Sequence, residues 1–300
     1  MRRSKKLCNI IEDINKKAEE VEKTLKELMK SFKPVISKTL FDSMEYSLFS
    51  GGKRIRPVLA MYSAEIVNGD QKTACKVGSA LELIHTYSLI HDDLPSMDDD
   101  DYRRGEKANH IVYGPGIAIL AGDGLLTGTF EILSNMDLEP AKKIKIINVI
   151  SKNAGANGMV GGQVLDLESE DKDIEIEDLK NIHLAKTGAL FKAAILSGAY
   201  TANPTEREIQ ALKIYSEKLG LLFQITDDIL DVIGDEKKMG KAVGSDDQLN
   251  KSTYPKILGL SGAKKEAEKI FTEAQKSLNV FEGKATKLNE LAKYVLNRDH

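Results

Sequence analysis

The chain is predicted to fold as an all-α protein, and three observations carry the prediction. Apolar residues recur at three- and four-residue steps along most of its length, the spacing of helices that bury one face. No stretch alternates apolar and polar residues over a useful length, and no βαβ rhythm appears. The chain has 300 residues, of which 41% are hydrophobic, enough to bury a substantial core. With no clear interdomain linker, one domain over residues 1–300 is expected.

Leu7, Ile10, Ile11, Ile14, Ala18, Val21, Leu25 and Leu28 trace an amphipathic helix over 6–30. After Pro34, a second helical run extends from Val35 to Phe49, where Gly51-Gly52 interrupts it and the basic loop Lys53-Arg54-Ile55-Arg56 begins. Pro57 suits the first turn of a third helix, which reaches the Asn68-Gly69-Asp70 turn. A fourth helix runs from about Thr73 to the aspartates after Ile90, and its broadly spread apolar residues predict burial on most sides. Gly114-Pro115-Gly116 breaks the chain, and Asp137 with Pro140 marks another boundary. Asn203-Pro204 reads as an N-cap followed by proline at the first helical position, opening a long helix that Gly234 closes. Residues 235–252 have the composition of a surface loop or lid. Helix resumes over the last 45 or so residues.

Charge is balanced, 43 Lys plus Arg against 46 Asp plus Glu for a net −3, so no global basic field recommends nucleic acid as a partner. Cys8 and Cys75 are too few for a disulfide framework and lack metal-ligand spacing, which fits a reducing cytoplasm. No signal-peptide core follows the basic N-terminus, and no run of roughly 20 uncharged apolar residues invites membrane insertion.

Against this balance, two acidic clusters stand out. Asp92-Asp93-Leu94-Pro95-Ser96-Met97-Asp98-Asp99-Asp100-Asp101 follows the apolar run 81–90, and Asp227-Asp228-Ile229-Leu230-Asp231 lies in an apolar segment. Gln224, Asp227, Asp228 and Asp231 fall at i, i+3, i+4 and i+7, one face of a helix. A solvated acidic stripe is the plain alternative. Carboxylates flanked by core residues are costly to desolvate, however, and bound divalent cations would supply the counter-charge. His85, Ser88 and Asp92 share a face of the fourth helix, and Pro95 should end that helix so that Asp98 can turn back towards Asp92. His183 is expected to be an ordinary core histidine. Lys53 with Arg56, Arg103 with Arg104, and Lys186-Thr187-Gly188 with Lys192 could balance a polyanion. Together the charges suit a phosphate-bearing ligand, bridged in part by Mg²⁺ and gripped in part by Arg and Lys. With no Walker loop or GxGxxG fingerprint, a simple diphosphate fits better than a nucleotide.

Gly51-Gly52-Lys53-Arg54-Ile55-Arg56-Pro57, the run from Leu83 to Pro95, Arg103-Arg104-Gly105, Gly162-Gln163-x-x-Asp166, Lys186-Thr187-Gly188 and Gln224-x-x-Asp227-Asp228-x-x-Asp231 closely resemble the trans-polyprenyl diphosphate synthases. Within that family the chain looks most like the short-chain bacterial farnesyl diphosphate synthases. The resemblance implies antiparallel helices around a deep central cavity, with the aspartate motifs facing each other across its mouth. It implies three Mg²⁺ ions, two held by Asp92 and Asp98 and one by Asp227, with Asp93, Asp228 and Asp231 acting behind them or through water. It assigns Arg103, Lys186 and Lys241 to the allylic diphosphate, and Gly52, Lys53, Arg56, His85 and Arg104 to isopentenyl diphosphate. Thr187 and Gln224 would line the reacting centre, and the chain would act as a cytoplasmic homodimer.

In this family bulky residues four or five positions before the first aspartate shorten the product. Here those positions are Ser88 and Tyr87, and Tyr87 is expected to stop growth near C15. The chain departs from the pattern at Lys107 and Ala108, and at its end, Arg298-Asp299-His300, where the family often carries a basic residue near the isopentenyl site. The competing readings are a geranyl or geranylgeranyl synthase, a non-catalytic regulatory subunit, which would usually lose part of an aspartate motif, and a Ca²⁺-binding structural protein, which leaves Lys53, Arg56 and Lys186 unexplained.

Overall fold

The computed structural model describes residues 2–33, 37–233 and 252–298, with the backbone alone over 2–9. Helices dominate as expected. α1 (Arg2–Lys30) buries Ile10, Ile14, Val21, Leu25 and Met29 along one stripe, and α2 (Lys38–Leu48) starts where the Ser37 hydroxyl accepts from the Leu40 N–H at 3.3 Å. α3 (Ile55–Ile66) carries Pro57 in its first turn. α4 (Gln71–Asp92) is capped by Asp70, whose carboxylate accepts from the Thr73 N–H at 2.7 Å. Buried residues lie on nearly all sides of α3 and α4, which places them in the middle of the molecule.

Next come α5 (Asn109–Tyr113), α6 (Pro115–Asn135), α7 (Pro140–Ala154), α8 (Met159–Ser169) and α9 (Ile176–His183). A five-residue π segment, Leu184–Gly188, joins α9 to α10 (Ala189–Ala199). α11 (Glu206–Ile233), α12 (Tyr254–Ser277) and α13 (Thr286–Asn297) complete the helices, with a short 3₁₀ turn before the last. α4 packs on α3, α6, α10 and α1, while α11 packs on α12, α10 and the π segment. Both helices that carry aspartate clusters are therefore anchored on the buried α10.

Three details differ from the expectations. Asn203 is not the cap of α11: Thr205 and Glu208 form a reciprocal capping box, with Thr205 N–H donating to the Glu208 carboxylate at 2.7 Å and Glu208 N–H to the Thr205 hydroxyl at 3.3 Å. The break at 114–116 is a single residue, Gly114 at φ 83°, and Pro115 already opens α6. A two-residue hairpin pairs β1 (Tyr102–Arg103) with β2 (Glu106–Lys107), turning through Arg104 at φ 57° and Gly105 at φ 84°. The Gly234 closure lies outside the described residues. α6 has the length and apolar composition of a spanning helix, yet it carries Asp123 and Glu131 and packs on α4 and α2.

Arg54 ties the centre together. It sits at the α3 N-cap in the left-handed region, 2% exposed, and donates to Glu22 at 2.6 Å, Glu82 at 3.0 Å and the Leu48 carbonyl at 2.6 Å. Within the conspicuous basic loop, this arginine is structural. Arg54→Met leaves Glu82 buried without its cation, and such losses cost about 3–5 kcal/mol. Urea unfolding followed by circular dichroism should show the midpoint falling accordingly, and adding Glu82→Gln should recover part of it.

Candidate active site

The first cluster is built by the way α4 ends. Asp93 closes the helix, its N–H bonded to the Leu89 carbonyl at 3.1 Å. With Pro95 in the following turn, the chain reverses and Asp98 N–H donates to the Asp92 carbonyl at 2.9 Å. Asp98 thus returns to Asp92 as the spacing predicts. Burial pushes the Asp92 carboxyl up from 3.8 to about 6, the nearby Lys186 opposing the rise and Asp98 adding to it.

Arg103 and Lys186 are each engaged by a carboxylate. Arg103 Nε donates to Asp93 Oδ1 at 2.8 Å, and Nη2 reaches Asp93 and Asp100. Burial works against its charge, but Asp93, Asp100 and Asp92 outweigh it and its pKa rises. Lys186, on the π segment, donates to Asp166 Oδ2 at 2.6 Å. It too is disfavoured by burial and raised overall by Asp166, Asp92 and Asp98. Asp166 was legible as part of the Gly162-Gln163-x-x-Asp166 motif, but the spacing gave it no role.

A cationic pocket of about 170 Å³ is lined by Lys53, Arg56, His85, Arg104, Phe223 and Arg298, among others. Gly52 lies at φ 123°, and a Cβ there would meet Arg104 Cζ and Nη1 at 2.8 Å, so only glycine lets the guanidinium lie against this loop. Arg104 also donates to the Gly51 carbonyl. Burial lowers the Arg56 pKa to about 10, with Glu82 opposing the shift, and Arg56 keeps its charge at neutral pH. His85 is pushed well below 6.5, first by burial and then by Arg56 and Arg104, so it presents a neutral imidazole.

Arg298 is named in the terminal sequence but receives no site role there, because one basic group near the chain end has no motif spacing. Its guanidinium stacks 4.0 Å from the Phe223 ring centre and donates to the Phe223 carbonyl at 2.8 Å and to Asp227. Gln224 also reaches Asp227, at 3.2 Å. Asp228 and Asp231 are buried, and Asp228 accepts from the Tyr254 N–H at 2.9 Å, tying the start of α12 to α11. His183 stacks on Tyr254 with its Nε2 3.5 Å from Asp228. Lys241, residues 235–251 of the expected lid, Asp299 and His300 lie outside the described residues.

An apolar cavity of about 410 Å³ adjoins the cationic pocket and shares Arg56 and His85 with it. Asp92, Lys186 and Thr187 stand on its wall with Tyr87, Ser88 and His91. Tyr87 is only 7% exposed. A cationic chamber thus shares a wall with an apolar one, on which Asp92 stands.

Residues 37–293 match the Polyprenyl synthetase family. Geranylgeranyl diphosphate synthase of Cyanophora paradoxa is 43% identical over 295 residues, 97% of each chain. Farnesyl diphosphate synthase of Bacillus subtilis is 43% identical over 265 residues, 87% of this chain and 90% of the relative. The crystal structure of geranylgeranyl pyrophosphate synthetase from Pyrococcus horikoshii superposes with a TM-score of 0.87 at 32% identity, covering 97% of this chain and 98% of that one.

The raised Asp92 predicts a trade of stability for function. Its ionised form is disfavoured by folding, so stability is lost as pH rises from about 4 to about 6 and the cost persists above that. In EDTA at pH 7.5, Asp92→Asn should therefore be more stable than the parent by on the order of 1–3 kcal/mol. Thermal melts at pH 7.5 and pH 4 check this, the gap closing at the lower pH.

Proposed function

Because the chain belongs to the polyprenyl synthetase family, we propose that it is the prenyltransferase that joins isopentenyl diphosphate head-to-tail to dimethylallyl and then geranyl diphosphate, giving farnesyl diphosphate. The observation that carries this reading is the junction of the two cavities at Arg56 and His85, beside Asp92. One end of each substrate is a diphosphate and the other is hydrocarbon, and the two chambers match those ends.

Asp92 and Asp98 would hold two Mg²⁺ ions, and Asp227 would hold a third. Among the described residues no group of three or more His, Cys, Asp or Glu forms a metal cage. Mg²⁺ suits such a site, since it is commonly held by one or two carboxylates and completed by substrate phosphates. When bound, such ions would stabilise the negative charge that develops on the diphosphate as the allylic C–O bond breaks. Arg103 and Lys186, already raised in pKa by their carboxylate partners, stabilise the same charge. Thr187 and Gln224 stand at the reacting centre, while Asp93, Asp228 and Asp231 hold the groups in front of them. Gly52, Lys53, Arg56, His85 and Arg104 bind isopentenyl diphosphate, whose double bond attacks the allylic cation. Loss of a proton to the departed diphosphate then gives a product five carbons longer. Water would trap the cation, so the apolar wall matters as much as the charges. We assign Lys241 and residues 235–252 to closure over the site.

Tyr87 supports a C15 limit, since its buried ring lies at the cavity wall before Asp92. A geranylgeranyl product is the competing outcome, because equally similar relatives carry either name. The exposed apolar residues Ile111, Val112, Ile119 and Leu120 on α5 and α6 favour a homodimer through that face. The reading also makes the protein cytoplasmic, with no nucleic-acid partner.

Incubation with Mg²⁺, isopentenyl diphosphate and dimethylallyl diphosphate should release diphosphate and give a C15 main product; no diphosphate release refutes the enzyme reading. Asp92→Ala and Asp227→Ala should each lower turnover by about 10²-fold or more with the circular dichroism spectrum retained, and near-parental rates would undo the metal assignment. Tyr87→Ala should enlarge the share of C20 and longer products by chromatography. An unchanged profile would reject its role as the stop.

A further inference from the structure

His91 is used by neither the metal nor the diphosphate assignments. It lies four residues after Tyr87 on α4, so the two side chains meet on one face of the helix. Their ring centres are 5.4 Å apart with planes at 86°, an edge-to-face contact. On its other side the imidazole Nε2 stands 3.0 Å from the Ile119 carbonyl oxygen of α6, an acceptor to which Nε2–H donates. Beneath the ring is Gly122. A Cβ at that position would stand 2.2 Å from Nε2 and 2.5 Å from Cδ2 of His91, a separation no pair of side-chain atoms tolerates.

Gly122 lies inside α6, where glycine costs about 0.5–1 kcal/mol relative to alanine. It is not among the residues with positive φ, so the backbone does not demand it. What it provides is a socket for the imidazole. Tyr87, in turn, has a ring that can swing about χ1. Packing must hold that ring if it is to resist a growing hydrocarbon chain, and His91 is the neighbour that is itself fixed, by one hydrogen bond and one close-fitting seat.

We infer that His91 and Gly122 are specificity-determining positioning residues: seated on Gly122 and bonded to the Ile119 carbonyl, the His91 imidazole holds the Tyr87 ring across the apolar cavity and so sets the length at which elongation stops. The inference rests on the reading of the chain as a synthase with Tyr87 as its stop.

The test compares the parent with Tyr87→Ala, His91→Ala, His91→Gln and Gly122→Ala, each as purified full chain with Mg²⁺, dimethylallyl diphosphate and labelled isopentenyl diphosphate. Products are dephosphorylated and separated by chain length, and the readout is the ratio of longer products to the parent's main product. Folded enzyme alone contributes to that ratio, so partial loss of fold does not change it. His91→Ala and Gly122→Ala should raise the ratio about tenfold or more, whereas His91→Gln, which keeps an N–H donor, should stay within about threefold of the parent. Parental ratios in His91→Ala and Gly122→Ala, alongside lengthening in Tyr87→Ala, overturn the inference alone. A parental ratio in Tyr87→Ala overturns it together with the stop, and a parent that forms no condensation product overturns the synthase reading beneath both.

Discussion

Opposite charges held in pairs on a partly buried wall are what the site depends on. Asp93 holds Arg103, Asp166 holds Lys186, and Asp227 holds Arg298. A guanidinium or ammonium drawn this far from water loses hydration, and a carboxylate within hydrogen-bonding distance returns part of that loss. The same contacts fix direction. In the proposed reaction, Arg103 and Lys186 would gain from being aimed beforehand, because nothing then has to reorganise as charge develops on the leaving group.

The helical framework supplies the burial. α3, α4 and α10 are buried on most sides, so groups at their ends enter the interior without leaving a rigid element. Arg54 and Arg56 illustrate how finely this sorts residues. Two positions apart at the start of one helix, they point in different directions. Arg54 joins Glu22 and Glu82 as part of the architecture, while Arg56 packs 5.3 Å from the Phe191 ring centre and borders both chambers.

Local features of this design were legible in the sequence and distant pairings were not. The helix periods, Pro57 in a first turn, the end of α4 before Pro95 and the return of Asp98 to Asp92 all follow from interactions within a few residues. The α11 cap shows the limit of even local reading: Asn203-Pro204 carries a strong signal, but the two-way bonds of Thr205 and Glu208 satisfy more backbone groups. Arg103 with Asp93, Lys186 with Asp166 and Arg298 with Asp227 are separated by 10, 20 and 71 residues. Only the packing of whole helices brings the last two together. His91 and Gly122 escaped notice for the same reason, since a glycine in a helix gives no sign of what rests on it.

The π segment between α9 and α10 makes this part of the chain sensitive to length more than to composition. An α-helix separates successive side chains by about 100°, and the wider π turn separates them by less. Lys186 and Thr187, adjacent in this segment, both border the apolar cavity. Removing a single residue from 184–188 would let the segment relax to ordinary helical winding, in which four residues turn the chain about as far as the five of the π turn, so the flanking helices would stay close to phase. Phe191 would keep its place against Arg56 and Phe223, and the change would fall on the segment that carries Lys186 and Thr187.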